Sequence, residues 1–98
     1  MPAYALRVQW AGRTVAYSGD TEWCEGLVDA AQGADLFVCE AYTFERKIRF
    51  HLDWATVAAH RAALEVRRLI VTHMSDDMLA RLPDLDVEAA RDGLTLEV

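Results

Sequence analysis

The sequence has 98 residues, of which 53% are hydrophobic and 27% charged, with a formal net charge of −6. This apolar content excludes a disordered tail, and the acidic balance argues against a nucleic-acid backbone or an anionic membrane as an obvious partner. No apolar run approaches the roughly 18 residues of a membrane span, and the N-terminus does not resemble a signal peptide. We therefore expect one acidic domain over residues 1–98, and the two cysteines favour a reduced, cytoplasmic protein over a disulfide framework.

The chain begins with a predicted β-hairpin. Apolar and polar side chains alternate over residues 4–10, which is the period of a strand. A short turn at residues 11–13 then leads into a second strand over 14–17.

A helix and a buried strand are predicted next. The helix covers residues 22–32, with Asp20 or Thr21 as its N-cap and Gly33 as its end. The uninterrupted apolar run at 36–39 is typical of a strand covered on both faces.

The second half of the chain repeats this alternation after an irregular stretch over residues 41–52. A helix begins at Asp53, and a second apolar strand runs over 67–71. A short helix over 76–81 and a closing hairpin over 87–98 complete the prediction. Strands that alternate with helices place the chain in the α/β class, with a mixed sheet of about six strands and two main helices on one face.

Polar groups that can bind metals or move protons follow three of the predicted strands. These groups are Asp20, Glu40 and His73, and His51 lies just before a helix. Sites in open α/β sheets lie at the carboxyl ends of strands, so these side chains are expected to converge on one edge. Imidazole and carboxylate together suit Zn, Mn or Fe, and a carboxylate is able to bridge two ions.

Each of these residues also has a purely structural interpretation. Asp20 fits a turn or a helix cap, and His73 fits a satisfied core histidine. Glu40 fits a solvated strand end, and His51 fits an imidazole paired with the nearby Asp53. Spacing alone leaves these alternatives open.

Three further residues are interpreted as structural. His60 has no second ligand at helical spacing, so a surface position is expected. Cys24 and Cys39 have no base beside them in the sequence, which indicates packing residues rather than nucleophiles.

Three stretches in this order resemble the metallo-β-lactamase-fold hydrolases, in the branch that includes ribonuclease Z. They are Ala-Tyr-Ser-Gly-Asp-Thr at 16–21, Phe-His-Leu at 50–52 and Leu-Ile-Val-Thr-His-Met-Ser at 69–75. The resemblance implies that Asp20 bridges two metal ions and that His73 ligates one of them. It also implies that His51 donates a proton or stabilises the transition state, with Glu40 as a possible supporting residue. The implied cofactor is a pair of Zn²⁺ or Mn²⁺ ions.

The sequence lacks the first metal-binding motif of that family, His-x-His-x-Asp-His. The resemblance therefore implies the C-terminal half of an αββα sandwich, incomplete as an enzyme without an N-terminal half. Metal binding by this chain alone is expected to be weak or absent, and nucleic acid is expected only as a substrate of the complete enzyme.

The half-fold also implies a partner. One sheet face would be apolar and exposed, which marks an interaction surface for an N-terminal half-domain or a second copy of the chain. The residues expected to line this face are Leu6, Val8, Trp10, Val15, Val38 and Ile70. A non-catalytic dimerisation or partner-binding module is the alternative function.

Overall fold

The computed structural model describes residues 5–19 and 21–90. In that part of the chain, five strands alternate with three helices, which confirms the α/β class. The elements are β1 (Leu6–Trp10), β2 (Arg13–Tyr17), α1 (Glu25–Ala31), β3 (Leu36–Glu40), α2 (Trp54–His60), β4 (Leu69–Thr72), α3 (Asp76–Arg81) and β5 (Glu88–Ala89). Short 3₁₀ turns follow α2 and α3, over Arg61–Ala63 and Leu82–Asp84.

The sheet is mixed, with the strand order β1-β2-β3-β4-β5. The first two strands form the predicted antiparallel hairpin, in which Trp10 lies opposite Arg13. The remaining neighbours are parallel, as expected for strands joined through helices. The carboxyl ends of β2, β3 and β4 therefore lie at the same edge of the sheet.

One face of the sheet packs against the helices. Phe37, Cys39 and Val71 from the strands share a single buried cluster with Leu27 of α1 and Val57 of α2. Burial of these large side chains is the main stabilising contribution to a domain of this size.

The opposite face is open at the β1 side. Leu6, Val8 and Trp10 are 58%, 61% and 81% exposed. Val15 and Val38 on the same face are half-buried. Ile70, which was expected to be exposed there, is buried, so the open part of this face does not extend to β4.

The first helix starts later than predicted. Cys24 is its N-cap, with no capping hydrogen bond from the side chain, so the prediction of Thr21 as the cap is wrong. The Thr21 hydroxyl donates to the Glu22 carbonyl instead. The Trp23 ring stacks on His60 at 4.1 Å, and this contact with α2 favours an extended path up to Cys24. The other predicted cap, Asp20, lies outside the described residues.

Only part of the predicted closing hairpin lies within the described residues. The first of its two strands is the short β5, which pairs parallel with β4. Its turn and second strand, over residues 91–98, lie outside the described residues. Within the described residues, no helix is long and apolar enough to cross a membrane.

Candidate metal centre

Two strand ends and one loop bring Glu40, His51 and His73 together. Glu40 is the last residue of β3 and pairs with Thr72, so His73 follows at the same edge. His51 arrives from the loop that precedes α2. Each of the three offers a ligand atom within 4.8 Å of the others. The predicted convergence at the sheet edge therefore includes these three side chains.

Glu40 is fully buried, and its carboxylate holds both imidazoles. Its Oε2 atom lies 2.9 Å from Nδ1 of His51 and 2.5 Å from Nδ1 of His73, and Oε1 accepts the Leu52 N–H at 2.9 Å. The backbone N–H of Glu40 donates to the Ser18 hydroxyl at 2.9 Å. Glu40 is thus not a solvated strand end, because burial without such partners would be costly.

These contacts fix which imidazole atoms are chemically suited to bind a metal. A carboxylate only accepts hydrogen bonds, so each ring donates its Nδ1 hydrogen to Glu40. Nε2 lies on the far side of each ring, away from that carboxylate. A histidine whose other nitrogen donates to a carboxylate is the usual arrangement in zinc sites.

The distances also indicate the role of Glu40. Zn–N and Zn–O bonds are about 2.0–2.2 Å long, so two ligands of one tetrahedral ion lie more than about 3 Å apart. The two N···O distances at Glu40 are shorter than this. Glu40 therefore fits an orienting partner of the two histidines, and Nε2 of His73 fits a ligand of a divalent metal.

The backbone is unusual at His73 and directly before His51. His73 itself has a φ of 53°, and Phe50, directly before His51, has a φ of 67°. Side chains other than glycine adopt this left-handed region at a cost of about 1–2 kcal/mol each. Such strain concentrates at functional sites, where the surrounding contacts keep it in place.

An aromatic ring lies beside the two imidazoles. The Tyr42 ring centre is 4.7 Å from that of His51 and 5.2 Å from that of His73, and the two imidazole centres are 5.5 Å apart. Both backbone groups of Tyr42 form hydrogen bonds. Its N–H donates to the Leu52 carbonyl, and its carbonyl accepts the Ser75 N–H. The irregular region 41–52 carried no pattern that would have identified this residue.

An ion pair between an exposed lysine and a buried aspartate anchors the segment that carries His51. Lys47 Nζ lies 3.0 Å from both carboxylate oxygens of Asp53, which also accepts the Thr56 N–H as the N-cap of α2. Burial alone would raise the pKa of Asp53, but the Lys47 and Thr56 hydrogen bonds outweigh it and lower the pKa. Asp53 is therefore engaged with Lys47 and the helix, while the partner of His51 is Glu40.

The remaining candidates lie away from this cluster or outside the described residues. Asp20, the predicted bridging ligand, is not among the described residues, so its role stays a prediction. His60 is half-buried, and its Nδ1 lies 2.9 Å from the Thr56 carbonyl. Cys39 is buried, and burial raises the pKa of its thiol to about 12, which is unsuited to a nucleophile. Cys24 is exposed at the start of α1.

Comparison with known proteins gives matches that agree with this arrangement. The family model of the beta-lactamase superfamily domain matches residues 1–74. An uncharacterised protein of Mycobacterium leprae is 38% identical over 76 residues, which cover 74% of this chain and 27% of that protein. Ribonuclease Z of Methanosarcina acetivorans is 33% identical over 105 residues, covering 89% of this chain and 33% of that protein.

The fold has a counterpart among solved structures. The metallo-β-lactamase fold protein YhfI from Bacillus subtilis superposes with a TM-score of 0.75 at 18% identity, covering 95% of this chain and 43% of that chain. The chain spans about a third or less of the length of the curated relatives it matches. On the family match and the shared fold together, the chain belongs to the beta-lactamase superfamily, with ribonuclease Z among its relatives.

Proposed function

We propose that this chain is the C-terminal part of a metal-dependent, phosphodiesterase-like hydrolase. The observation that carries the proposal is the buried Glu40 carboxylate, which holds Nδ1 of both His51 and His73 at one sheet edge. Burying a carboxylate costs free energy unless it is paired and hydrogen-bonded. A carboxylate that orients imidazoles in this way is common beside the histidine ligands of metal sites.

The roles proposed for the site residues are those that the family resemblance implies. His73 and Asp20 would hold the metal ions, with Asp20 as the shared ligand. His51, held by Glu40, donates a proton to the leaving group or stabilises the developing charge. When bound there, a pair of Zn²⁺ or Mn²⁺ ions would supply a hydroxide nucleophile at neutral pH and would stabilise the charge on the substrate oxygen.

A phosphodiester is the substrate class that the comparisons support. Several relatives are named ribonuclease Z, at 33% to 45% identity over the matched regions. The loop before His51 carries Arg46 and Arg49 against the single Glu45, while the charge of Lys47 is paired with Asp53. Local positive charge beside the site favours an anionic substrate.

The chain is proposed to need a partner for activity. Asp20 and His73 give fewer ligands than the three or four that each ion of a pair requires. The exposed Leu6, Val8 and Trp10 offer a surface for an N-terminal half-domain carrying His-x-His-x-Asp-His, or for a second copy of this chain.

Reconstitution tests this function. The chain is co-purified with an N-terminal half that carries His-x-His-x-Asp-His, and hydrolysis of bis(p-nitrophenyl) phosphate is measured with Zn²⁺ or Mn²⁺. We expect activity that His51→Ala lowers by about 100-fold or more, while the matched control His60→Ala retains it. A correctly assembled, metal-loaded complex without activity would contradict the proposal.

The alternative function is a non-catalytic dimerisation or partner-binding module. The large exposure of the β1 side chains favours it, because monomers rarely leave a contiguous apolar patch in water. A zinc titration together with sedimentation separates the two functions. A stable dimer in which neither the chain nor its complex binds metal would support the module.

A further inference from the structure

The residue directly before His51 is held in a conformation that its side chain disfavours. The His51 N–H donates to the Ile48 carbonyl at 3.2 Å, which closes a four-residue β-turn over 48–51. Phe50 is the third residue of this turn and has a φ of 67°, the left-handed conformation that a type II turn requires there. Glycine or asparagine usually occupies that position, whereas other side chains are disfavoured in it by about five- to thirtyfold.

The side chain of Phe50 is only partly packed. Phe50 is 54% exposed, and the guanidinium of its neighbour Arg49 lies 5.0 Å from its ring centre. The hydrogen bond from His51 to Ile48 lies within the turn and does not connect it to the rest of the protein. Strained residues persist only where the surrounding contacts over-determine their conformation. Those contacts are therefore expected at the two ends of the turn.

Both ends of the turn are attached to the body of the domain. After the turn, the Leu52 N–H donates to Oε1 of the buried Glu40 at 2.9 Å. Before the turn, Lys47 Nζ lies 3.0 Å from both carboxylate oxygens of Asp53 and also contacts the Thr56 hydroxyl. Six residues of extended chain would span about 20 Å. The ion pair therefore keeps the segment between its two partners folded back on itself.

The two partners of this ion pair differ in their exposure. The Asp53 side chain is 6% exposed, whereas that of Lys47 is 73% exposed. Asp53 also accepts the Thr56 N–H at the start of α2, and the Thr43 hydroxyl donates to the Arg46 carbonyl just before Lys47. The carboxylate is thus a fixed anchor, and Lys47 is the last anchored residue before the turn. Its side chain can be replaced without leaving a cavity in the core.

We propose that Lys47 is a positioning residue for His51. Its ion pair with Asp53 keeps Phe50 in the left-handed conformation. The turn in this conformation places Nδ1 of His51 2.9 Å from the Glu40 carboxylate. The effect on catalysis rests on the proposed function, in which His51 donates a proton or stabilises charge, whereas the effect on the turn concerns this chain alone.

Amide exchange with water, measured by NMR on the metal-free chain, tests the effect on the turn. The protection factor of the His51 N–H reports how often the turn opens. We expect Lys47→Met to lower this factor by about two- to fivefold, which is the effect of losing an ion pair with one exposed partner. Amides that bond within the β1–β2 hairpin should keep their protection, which separates local opening from a general loss of stability.

A rescue variant distinguishes strain from charge. Glycine adopts positive φ about as readily as negative φ, so Phe50→Gly removes the strain that favours opening. We expect Lys47→Met combined with Phe50→Gly to recover at least the wild-type protection of the His51 N–H. The matched control is Arg46→Met, which removes an equal charge one residue earlier. The Arg46 side chain is exposed and has no ion-pair partner among the described residues, so this variant should leave the protection unchanged.

Three results would overturn the effect on the turn. They are unchanged protection in Lys47→Met, an equal loss in Arg46→Met, and no recovery when Phe50→Gly is added to Lys47→Met. Each would show that the ion pair does not maintain the strained conformation.

Kinetics of the reconstituted complex test the effect on catalysis. We expect Lys47→Met to lower kcat by about two- to fivefold with KM unchanged, and Phe50→Gly to restore kcat in that background. A raised KM at unchanged kcat would indicate that Lys47 binds substrate, and it would overturn the positioning role. An inactive complex of the wild-type chain would contradict the proposed function, while the amide exchange would still decide the effect on the turn.

Discussion

At the scale of single residues, Asp53 shows how a buried charge is used to build a loop. Its carboxylate is almost fully buried and yet accepts hydrogen bonds from Lys47 Nζ, the Thr56 N–H and the Thr56 hydroxyl. Lys47 also contacts the Thr56 hydroxyl. The result is a closed turn between Lys47 and α2 that carries Phe50 and His51. The position of His51 therefore depends on a carboxylate that is not its own partner.

The lowered pKa of Asp53 predicts a specific pH dependence of stability. A carboxyl group whose pKa is lower in the folded state than the unfolded value of about 3.9 stabilises the fold above that value, and this contribution is lost as the pH falls through the folded-state pKa. Asp53→Asn keeps an N-cap acceptor but removes the charge. We expect it to lower the free energy of unfolding by about 1 kcal/mol at pH 7. The difference from wild type should shrink below about pH 4.

Urea unfolding followed by circular dichroism at a series of pH values measures this difference. The control is Asp84→Asn, which changes an exposed aspartate and should alter stability little at any pH. A difference between wild type and Asp53→Asn that stays constant down to pH 3 would contradict the assigned role of the Lys47 ion pair.

At the scale of secondary-structure elements, the β1–β2 hairpin contains a residue poorly suited to its conformation. Ala11 and Gly12 connect Trp10 to Arg13 in a two-residue loop, and their φ values are 52° and 78°. Positive φ at both positions is the requirement of a type I′ turn, for which Asn-Gly is preferred. Alanine at the first position carries strain that asparagine would reduce.

Ala11→Asn is therefore expected to stabilise the domain by about 0.5–1 kcal/mol, which raises the melting temperature by several degrees. Thermal unfolding measures the change. In the opposite direction, Gly12→Ala should lower the melting temperature through φ alone, since an added Cβ would meet no heavy atom within 4 Å. A higher melting temperature for Gly12→Ala, or a lower one for Ala11→Asn, would show that the turn differs from type I′.

How well the sequence predicted each element depended on whether its signal was local. The apolar run of β3 is a local feature, and the short helix predicted over 76–81 forms as Asp76–Arg81, with Ser75 as its N-cap. The start of α1 was missed because the Trp23–His60 stack joins segments far apart in sequence. The loop 41–52 has no periodicity, yet a single bridge between Thr43 and Asp53 closes it.

The site was predicted to a similar extent and for the same reason. Strand ends identified Glu40 and His73 as neighbours at one edge, since parallel strands bring their carboxyl ends together. The sharing of Glu40 between two imidazoles depends on how loop 41–52 folds back, and no spacing encodes that. Tyr42 and Lys47 were not predicted as site residues, because their contacts with His51 and Asp53 depend on how this loop folds.

At the scale of the whole molecule, the two faces of the sheet differ in what covers them. The helices bury the face that contains Phe37 and Cys39, whereas Trp10 is 81% exposed at the edge of the other face. Arg7, on the opposite side of the same strand, donates to backbone carbonyls of Ala30 and Gln32 at the end of α1. Hydrogen bonds from Arg7 thus hold β1 against α1 on one face of the sheet. On the other face, Leu6, Val8 and Trp10 are exposed.

Of the two partners proposed for this face, a second copy of the chain predicts that the chain alone self-associates through it. Trp10→Ser removes the most exposed large side chain without disturbing the helix side of β1. We expect it to raise the dimer dissociation constant by about tenfold or more, because a buried tryptophan contributes strongly at an interface. Sedimentation velocity over a concentration series measures the constant. The matched control is Phe50→Ser, which removes a 54% exposed ring from the loop beside His51 and should leave association unchanged. A monomeric wild-type chain, or equal weakening by both variants, would contradict association through the β1 face.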